Sequence, residues 1–182
     1  MEPRPRLHLL AAAAVVGSAP VAGAELAQAR VLVSQKDALA MAFGAATPER
    51  RTAFLTDAQA KAVEELALAK LETKIWTYYV SGSTTAYFES HLVRTMNETV
   101  MVVVGADAKV RSVEILSFAE PPDYMASPRW LEQLKGKPLD EDLAPRRGLR
   151  GIAGATLTAE AVSRGVRRAL AVHRVLSAPA AK

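Results

Sequence analysis

Residues 154–158 read GATLT, two threonines on either side of a leucine, and they lead into a long stretch with helical periodicity. One hydroxyl is enough to cap a helix start, because it accepts a hydrogen bond from an N–H group of the first turn. The second hydroxyl is therefore surplus to capping. The start of a helix favours an anion such as phosphate, and Arg146, Arg147 and Arg150 lie upstream as counter-charges. Many helices begin this way and bind nothing, so an ordinary helix start stays open here.

Other chemistry finds less support in the sequence. The chain has no cysteine, which excludes disulfides, thiolate metal sites and cysteine nucleophiles. Around His91 and His173 we identify no metal-ligand spacing, so each is predicted to be a surface or core histidine. Neither catalytic residues nor metal ligands are predicted. The net charge of +4 is too small to indicate a nucleic-acid partner.

The helix that follows GATLT is predicted to run from about Ala159 to Leu176. Its apolar residues form one stripe that should pack on a sheet, and its arginines should form a mostly solvated face. The stripe comprises Val162, Val166, Ala169, Leu170 and His173, and the arginines are Arg164, Arg167, Arg168 and Arg174.

The middle of the chain predicts the sheet. Residues 74–80, 85–92, 99–104 and 110–117 are β-branched, aromatic or alternating runs separated by turn residues, which is typical of an antiparallel meander. The run at 99–104 is apolar throughout, as in a central strand covered on both faces. A further strand is expected at 50–55.

Capping signals predict three more helices. Ser34 and Gly44 bracket the first, Thr56 and Gln59 have the spacing of a capping box for the second, which should end near Lys70, and a short helix should run from Ser127 to Gly136. Consecutive prolines at 121–122 predict an ordered loop without a helix, and residues 137–150 predict a second loop. Strands in the middle and helices at both ends indicate an α+β fold, a mainly antiparallel sheet flanked by helices.

At this point the motifs support a family resemblance. The GATLT segment resembles the Ser/Thr-Gly-Ala-Thr-x-Ser/Thr signature of the FMN-binding domain of the RnfG and NqrC type. Residues 100–118, the Glu-Pro-Pro at 120–122 and the Trp-Leu-Glu-Gln-Leu-Lys-Gly at 130–136 are similar to further segments of that family, in the same order. The resemblance spans roughly residues 85–175.

The resemblance implies that FMN is joined through a phosphoester bond to the hydroxyl of Thr156 by an FAD-dependent flavin transferase. It places Thr158 at the start of the helix, and Tyr124 or Trp130 is a candidate wall for the flavin, although core packing is the preferred interpretation of Trp130. Glu120 is expected to organise its loop rather than act as an acid or base. The implied cofactor-binding residues are Gly154, Ala155, Thr156, Leu157, Thr158 and Glu120.

The implied function is an electron-transfer flavoprotein rather than an enzyme in its own right: a one-electron carrier with a redox partner protein, soluble or membrane-bound. Two departures keep alternatives open. The chain has Arg150 where the family commonly has Asp, and Ala153 where it has Ser or Thr. The alternatives are a flavin-bearing subunit of a periplasmic reductase, and a module that binds FMN non-covalently or not at all.

Residues 1–24 have the pattern of a secretory signal peptide: Arg4 and Arg6, an apolar run from Leu9 to Val16, and small residues up to Ala24. The sequence therefore predicts export to the periplasm or beyond, with cleavage after about Ala24. Residues 25–182 are then predicted to form a single FMN-binding domain.

Overall fold

The computed structural model describes residues 30–178, so the predicted signal peptide lies outside the described residues. The strands are β1 (Arg30–Val31), β2 (Glu49–Phe54), β3 (Ile75–Ser81), β4 (Thr84–Leu92), β5 (Asn97–Val104) and β6 (Val110–Phe118). The helices are α1 (Gln35–Phe43), α2 (Asp57–Ala67), α3 (Pro128–Leu131) and α4 (Thr156–Ser177). Short 3₁₀ turns lie at Pro122–Tyr124 and Glu132–Leu134.

The six strands form one sheet in the order β1-β6-β5-β4-β3-β2, and every neighbouring pair is antiparallel. The predicted α+β fold, an antiparallel sheet with flanking helices, is confirmed. Alternation along β5 supplies both faces, because Val100, Val102 and Val104 join the larger core while Met101 and Val103 join the smaller one. Helices α2 and α4 contribute to the larger core, and α1 covers the smaller one.

The predicted caps of α1 and α2 are present. Ser34 accepts a hydrogen bond from the N–H of Asp37, and Gly44 ends the helix with a φ of 63°. Thr56 and Gln59 form a reciprocal capping box. Helix α2 ends at Ala67 rather than near Lys70, since the next residue takes the left-handed conformation.

Two proline-containing segments differ in detail from their predictions. Ser127 caps α3, but the α-helix ends at Leu131 and continues only as a 3₁₀ turn to Leu134. The expectation of no helix at the paired prolines was wrong, because a single 3₁₀ turn begins at Pro122. Proline is tolerated at the first position of a helical turn, since that position needs no backbone N–H. Residues 137–150 contain no helix and no named strand, as predicted.

Helix α4 begins at Thr156, three residues earlier than predicted, and its apolar stripe packs against the sheet. Arg164 and Arg174 are exposed as predicted, but Arg167 and Arg168 are buried. The expectation of a mostly solvated arginine face was therefore wrong for these two. Between residues 30 and 178, no helix combines the length and apolar character that crossing a membrane requires.

Candidate functional site

The first turn of α4 presents Thr156 to solvent. Gly154 has a φ of 77°, in the left-handed region, and apart from its two chain neighbours no described residue lies within 4 Å of where its Cβ would be. Ala155 is the N-cap residue, and its methyl group cannot cap the helix. The backbone N–H groups of Thr156, Leu157 and Thr158 belong to the first turn, where a helix supplies no partner. An exposed hydroxyl thus lies beside the first-turn N–H groups, which no described side chain caps, at the positive end of a 22-residue helix.

Thr158 has a different environment. It is buried, and its Oγ1 donates a hydrogen bond of 2.6 Å to the carbonyl oxygen of Tyr124. The prediction that Thr158 starts the helix was wrong, because the helix begins at Thr156 and Thr158 occupies its third position. Its hydroxyl joins α4 to the loop that contains Glu120.

Glu120 organises that loop, as expected. Its Oε1 accepts hydrogen bonds from the N–H groups of Arg94, Thr95 and Met96, at 3.3, 2.7 and 2.9 Å, and from the Thr95 hydroxyl at 3.2 Å. The backbone N–H of Thr95 is the main cause that lowers the pKa of Glu120 below its ordinary value. Its role in binding FMN stays a prediction.

The segment before the motif is held by the short helical segment at 128–134. Trp130 Nε1 donates a 2.6 Å hydrogen bond to the carbonyl oxygen of Arg150. Gln133 Oε1 accepts a 3.0 Å hydrogen bond from the backbone N–H of Arg150. Trp130 is buried, as the preferred interpretation had it, but its indole N–H also reaches this segment. The sequence segment at 130–136 includes Gln133, but no role was predicted for it, although its spacing of three residues from Trp130 was an available signal.

An open hollow of about 580 Å³ lies beside the motif. It is lined by Ser127, Arg129, Trp130, Gln133, Gly148 and residues 150–153. Of the three upstream arginines, Arg150 lines this hollow, whereas Arg147 forms an exposed ion pair with Glu141. Leu157 is 47% exposed on the first turn of α4.

Sequence reasoning also missed a buried ionic cluster between α4 and the sheet. His91 lies 2.5 Å from Glu89 through Nδ1 and 3.0 Å from Glu98 through Nε2, and Arg168 Nε donates to Glu89 at 2.8 Å. Glu89 and His91 are two residues apart, which is the spacing of one strand face, so the prediction of no metal-type side chain at strand spacing from His91 was wrong. His91 is a core histidine, one of the two predicted alternatives.

The pKa values of His91 and Glu89 both differ from the ordinary values of these side chains. Burial alone would lower the pKa of His91, but hydrogen bonds and charges from Glu89 and Glu98 raise it to about 9. Burial alone would raise the pKa of Glu89, but His91 and Arg168 together lower it. The cluster therefore holds a charged imidazolium between carboxylates at neutral pH.

The residues of the motif fit a flavin phosphate. First-turn N–H groups that no described side chain caps, open space at Gly154 and an arginine-lined hollow provide the donors and the room that a phosphate ester needs. In a comparison with known families, residues 96–171, which include the motif, match the family model described as an FMN-binding domain. The chain is thus a flavin-binding protein. Its segment from the start of β5 through most of α4 is a member of the FMN-binding domain family.

No curated protein and no solved structure matches the chain.

Proposed function

We propose that the chain is an exported one-electron carrier whose FMN is joined to the Thr156 hydroxyl by a phosphoester bond. The observation that carries the proposal is the contrast between the two threonines. Thr156 is exposed on the first turn of α4, while the hydroxyl of Thr158 is committed to Tyr124. Within this motif, Thr156 is the hydroxyl that a second protein can reach.

The attachment step balances with FAD as the donor. The Thr156 oxygen forms a bond to the phosphorus atom that carries the riboflavin half, the bond from that phosphorus to the bridging oxygen breaks, and AMP leaves. The hydroxyl proton is released, and no electron is transferred. The N–H groups at the start of α4 and the positive end of its dipole stabilise the phosphate charge during and after this step.

Around the attachment point, this chain supplies binding and orientation. Gly154 leaves room beside the backbone, and Arg129 and Arg150 place positive charge along the hollow. Trp130 and Ile152 add apolar surface to the same hollow. FMN, when bound, supplies the electron-transfer chemistry, and a covalent link prevents its loss by dilution outside the cytoplasm.

The test is production of the full chain together with an FAD-dependent flavin transferase, followed by intact-mass measurement and in-gel fluorescence after denaturation. We expect a gain of FMN minus water. Thr156→Val, which removes only the hydroxyl, should abolish the gain. Thr158→Ser, which keeps the hydrogen bond to Tyr124, should retain it.

Each other outcome has a definite meaning. An unmodified mass, with flavin released on denaturation, would show non-covalent FMN, and a chain without flavin under either condition would refute the redox function. A reduced protein that is reoxidised by small acceptors as fast as by a protein partner would favour the reductase-subunit alternative. Recovery from the periplasm, with a new N-terminus after about Ala24, tests export.

A further inference from the structure

The chain before Thr156 is tethered through the backbone of one exposed residue, Arg150. Trp130 Nε1 donates to its carbonyl oxygen at 2.6 Å, and Gln133 Oε1 accepts from its N–H at 3.0 Å. Gln133 Nε2 also donates to the carbonyl oxygen of Trp130 at 3.3 Å, which ties the two clamping residues together. Since both bonds end on backbone atoms, they are independent of the side chain at position 150.

The spacing of the two clamping residues explains how they reach one residue together. Trp130 lies in α3 and Gln133 in the 3₁₀ turn that continues it, and in 3₁₀ geometry residues three apart lie on the same side. Their side chains offer one donor and one acceptor to Arg150. This is the pairing that a residue receives from its opposite neighbour in a hydrogen-bonded pair of an antiparallel sheet.

A second tether lies on the other side of Thr156, where Thr158 Oγ1 bonds to the carbonyl oxygen of Tyr124. In the part of the chain that the structure describes, no side-chain hydrogen bond reaches residues 151–156 between the two tethers. This stretch includes Gly151 and Gly154, and both have open space at the Cβ position. A backbone hydrogen bond from the N–H of Ala155 to the carbonyl oxygen of Ile152 lies within the stretch, but glycines leave a backbone free to adopt many conformations, so the position of Thr156 also depends on how the ends are held.

We propose that Trp130 and Gln133 are positioning residues that clamp the backbone of Arg150 and thereby present Thr156 to the flavin transferase. This inference rests on the proposed function. The clamp restricts the backbone of the segment that leads to the motif before the transferase binds, so this segment loses less conformational freedom during the reaction. Loss of one such hydrogen bond should slow flavin transfer about five- to tenfold, the factor expected for a net bond of typical strength.

The test compares clamp variants with matched variants elsewhere. Trp130→Phe removes the indole donor and keeps an aromatic ring, and Gln133→Leu removes both the acceptor and the donor. The controls are Trp76→Phe, which removes a similar bond to the carbonyl oxygen of Thr73, and Gln59→Leu, which removes a similar acceptor for the N–H of Thr56. Gln133→Glu keeps an acceptor for Arg150 and serves as the conservative rescue.

Two readouts separate positioning from general stability. The first is the rate of mass gain with purified transferase and FAD, and the second is hydrogen exchange of the Arg150 amide in the unmodified chain. Both clamp variants should slow transfer five- to tenfold, with the loss in kcat/KM. Gln133→Leu should also speed exchange at Arg150 by a similar factor, and Gln133→Glu should stay within twofold of the original chain in both readouts.

The clamp is refuted if folded Trp130→Phe and Gln133→Leu accept flavin at the original rate, or if the two controls slow transfer as much. The Gln133 pair decides the question alone if Trp130→Phe does not fold, because Gln133 is only half-buried. An original chain that accepts no flavin, while the transferase modifies another substrate, refutes the proposed function and the clamp's role in transfer together. Unchanged Arg150 exchange in Gln133→Leu refutes the clamp itself.

Discussion

Raising the pH from 6 to 10 should destabilise the folded protein through His91. The side chains of His91, Glu89 and Glu98 are at most 4% exposed, and both imidazole nitrogens face a carboxylate oxygen. Glu98 Oε1 has no hydrogen-bond partner among the described residues, so stabilisation of the buried Glu98 side chain depends on the contact of its Oε2 with His91. Arg168 contacts Glu89 from α4 and completes the set of charged groups around the imidazole. Deprotonation of His91 would leave two buried carboxylates facing one buried guanidinium.

The magnitude follows from the pKa of His91. It is about 9 in the folded chain, against an ordinary value of 6.5 that applies to the unfolded chain. Because the folded value is the higher one, the stabilisation is complete below pH 6.5 and is lost as the pH rises through 9. A difference of this size corresponds to about 3 kcal/mol, since each pKa unit is about 1.4 kcal/mol. Such a loss is a large part of the stability of a typical domain.

The assay is urea denaturation between pH 6 and pH 10, together with an NMR titration of the two histidines in the described residues. His173 is the internal control, because burial lowers its pKa below 6.5, so it should lose its proton at a lower pH than His91 does. A His173→Gln variant assigns the signals. An unfolding free energy that stays constant over this range, or a His91 titration near 6.5, would refute the claim that the imidazolium is held between carboxylates.

Three further substitutions test contacts of α4. Gly165→Ala should destabilise by about 1–3 kcal/mol in urea denaturation, because its Cβ would lie 2.5 Å from Glu89 Oε2; a stabilised variant would contradict this crowding. Thr158→Val should lower the free energy of unfolding by about 1–3 kcal/mol, because it leaves the Tyr124 carbonyl without its donor. The matched control Thr156→Val should change the melting temperature little. Equal effects of the two variants would contradict the different roles of the two threonines. Arg167→Met should lower the free energy of unfolding by about 1–3 kcal/mol, because the guanidinium of Arg167 donates hydrogen bonds to carbonyl oxygens at the end of α2. An unchanged urea midpoint would contradict that role.

Local signals in the sequence were sufficient for most of the fold. Ser34, Thr56 and Ser127 each start a helix where their spacing to the following residues predicted, since a cap depends on groups within one turn. The strands β3 to β6 and their antiparallel order followed from apolar runs and short turns, whereas β1 was not predicted. The start of α4 was the exception, because no side chain caps it and its first turn depends on a tertiary contact from Thr158.

The buried charges could not be placed in the same way. Arg167 and Arg168 are adjacent on α4, yet one bonds carbonyl groups from α2 and the other bonds Glu89 on β4. The partners of the two arginines, which include the carbonyl oxygen of Asp140, lie 27 to 101 residues away along the chain, so no local pattern marks them. An arginine on a helix is usually solvated, and only the packing of other elements reverses that expectation.

The same reasoning applies to the two threonines of the motif. Both are β-branched hydroxyl residues in one helical turn, and their intrinsic chemistry is the same. The 3₁₀ turn at Pro122–Tyr124 brings a carbonyl oxygen to Thr158 and leaves Thr156 exposed. The different environments of these two identical side chains therefore depend on the Glu120 loop, which Glu120 holds against the backbone of residues 94–96. The Thr158 hydroxyl is thus occupied by a contact 34 residues away along the chain, which the motif itself does not encode.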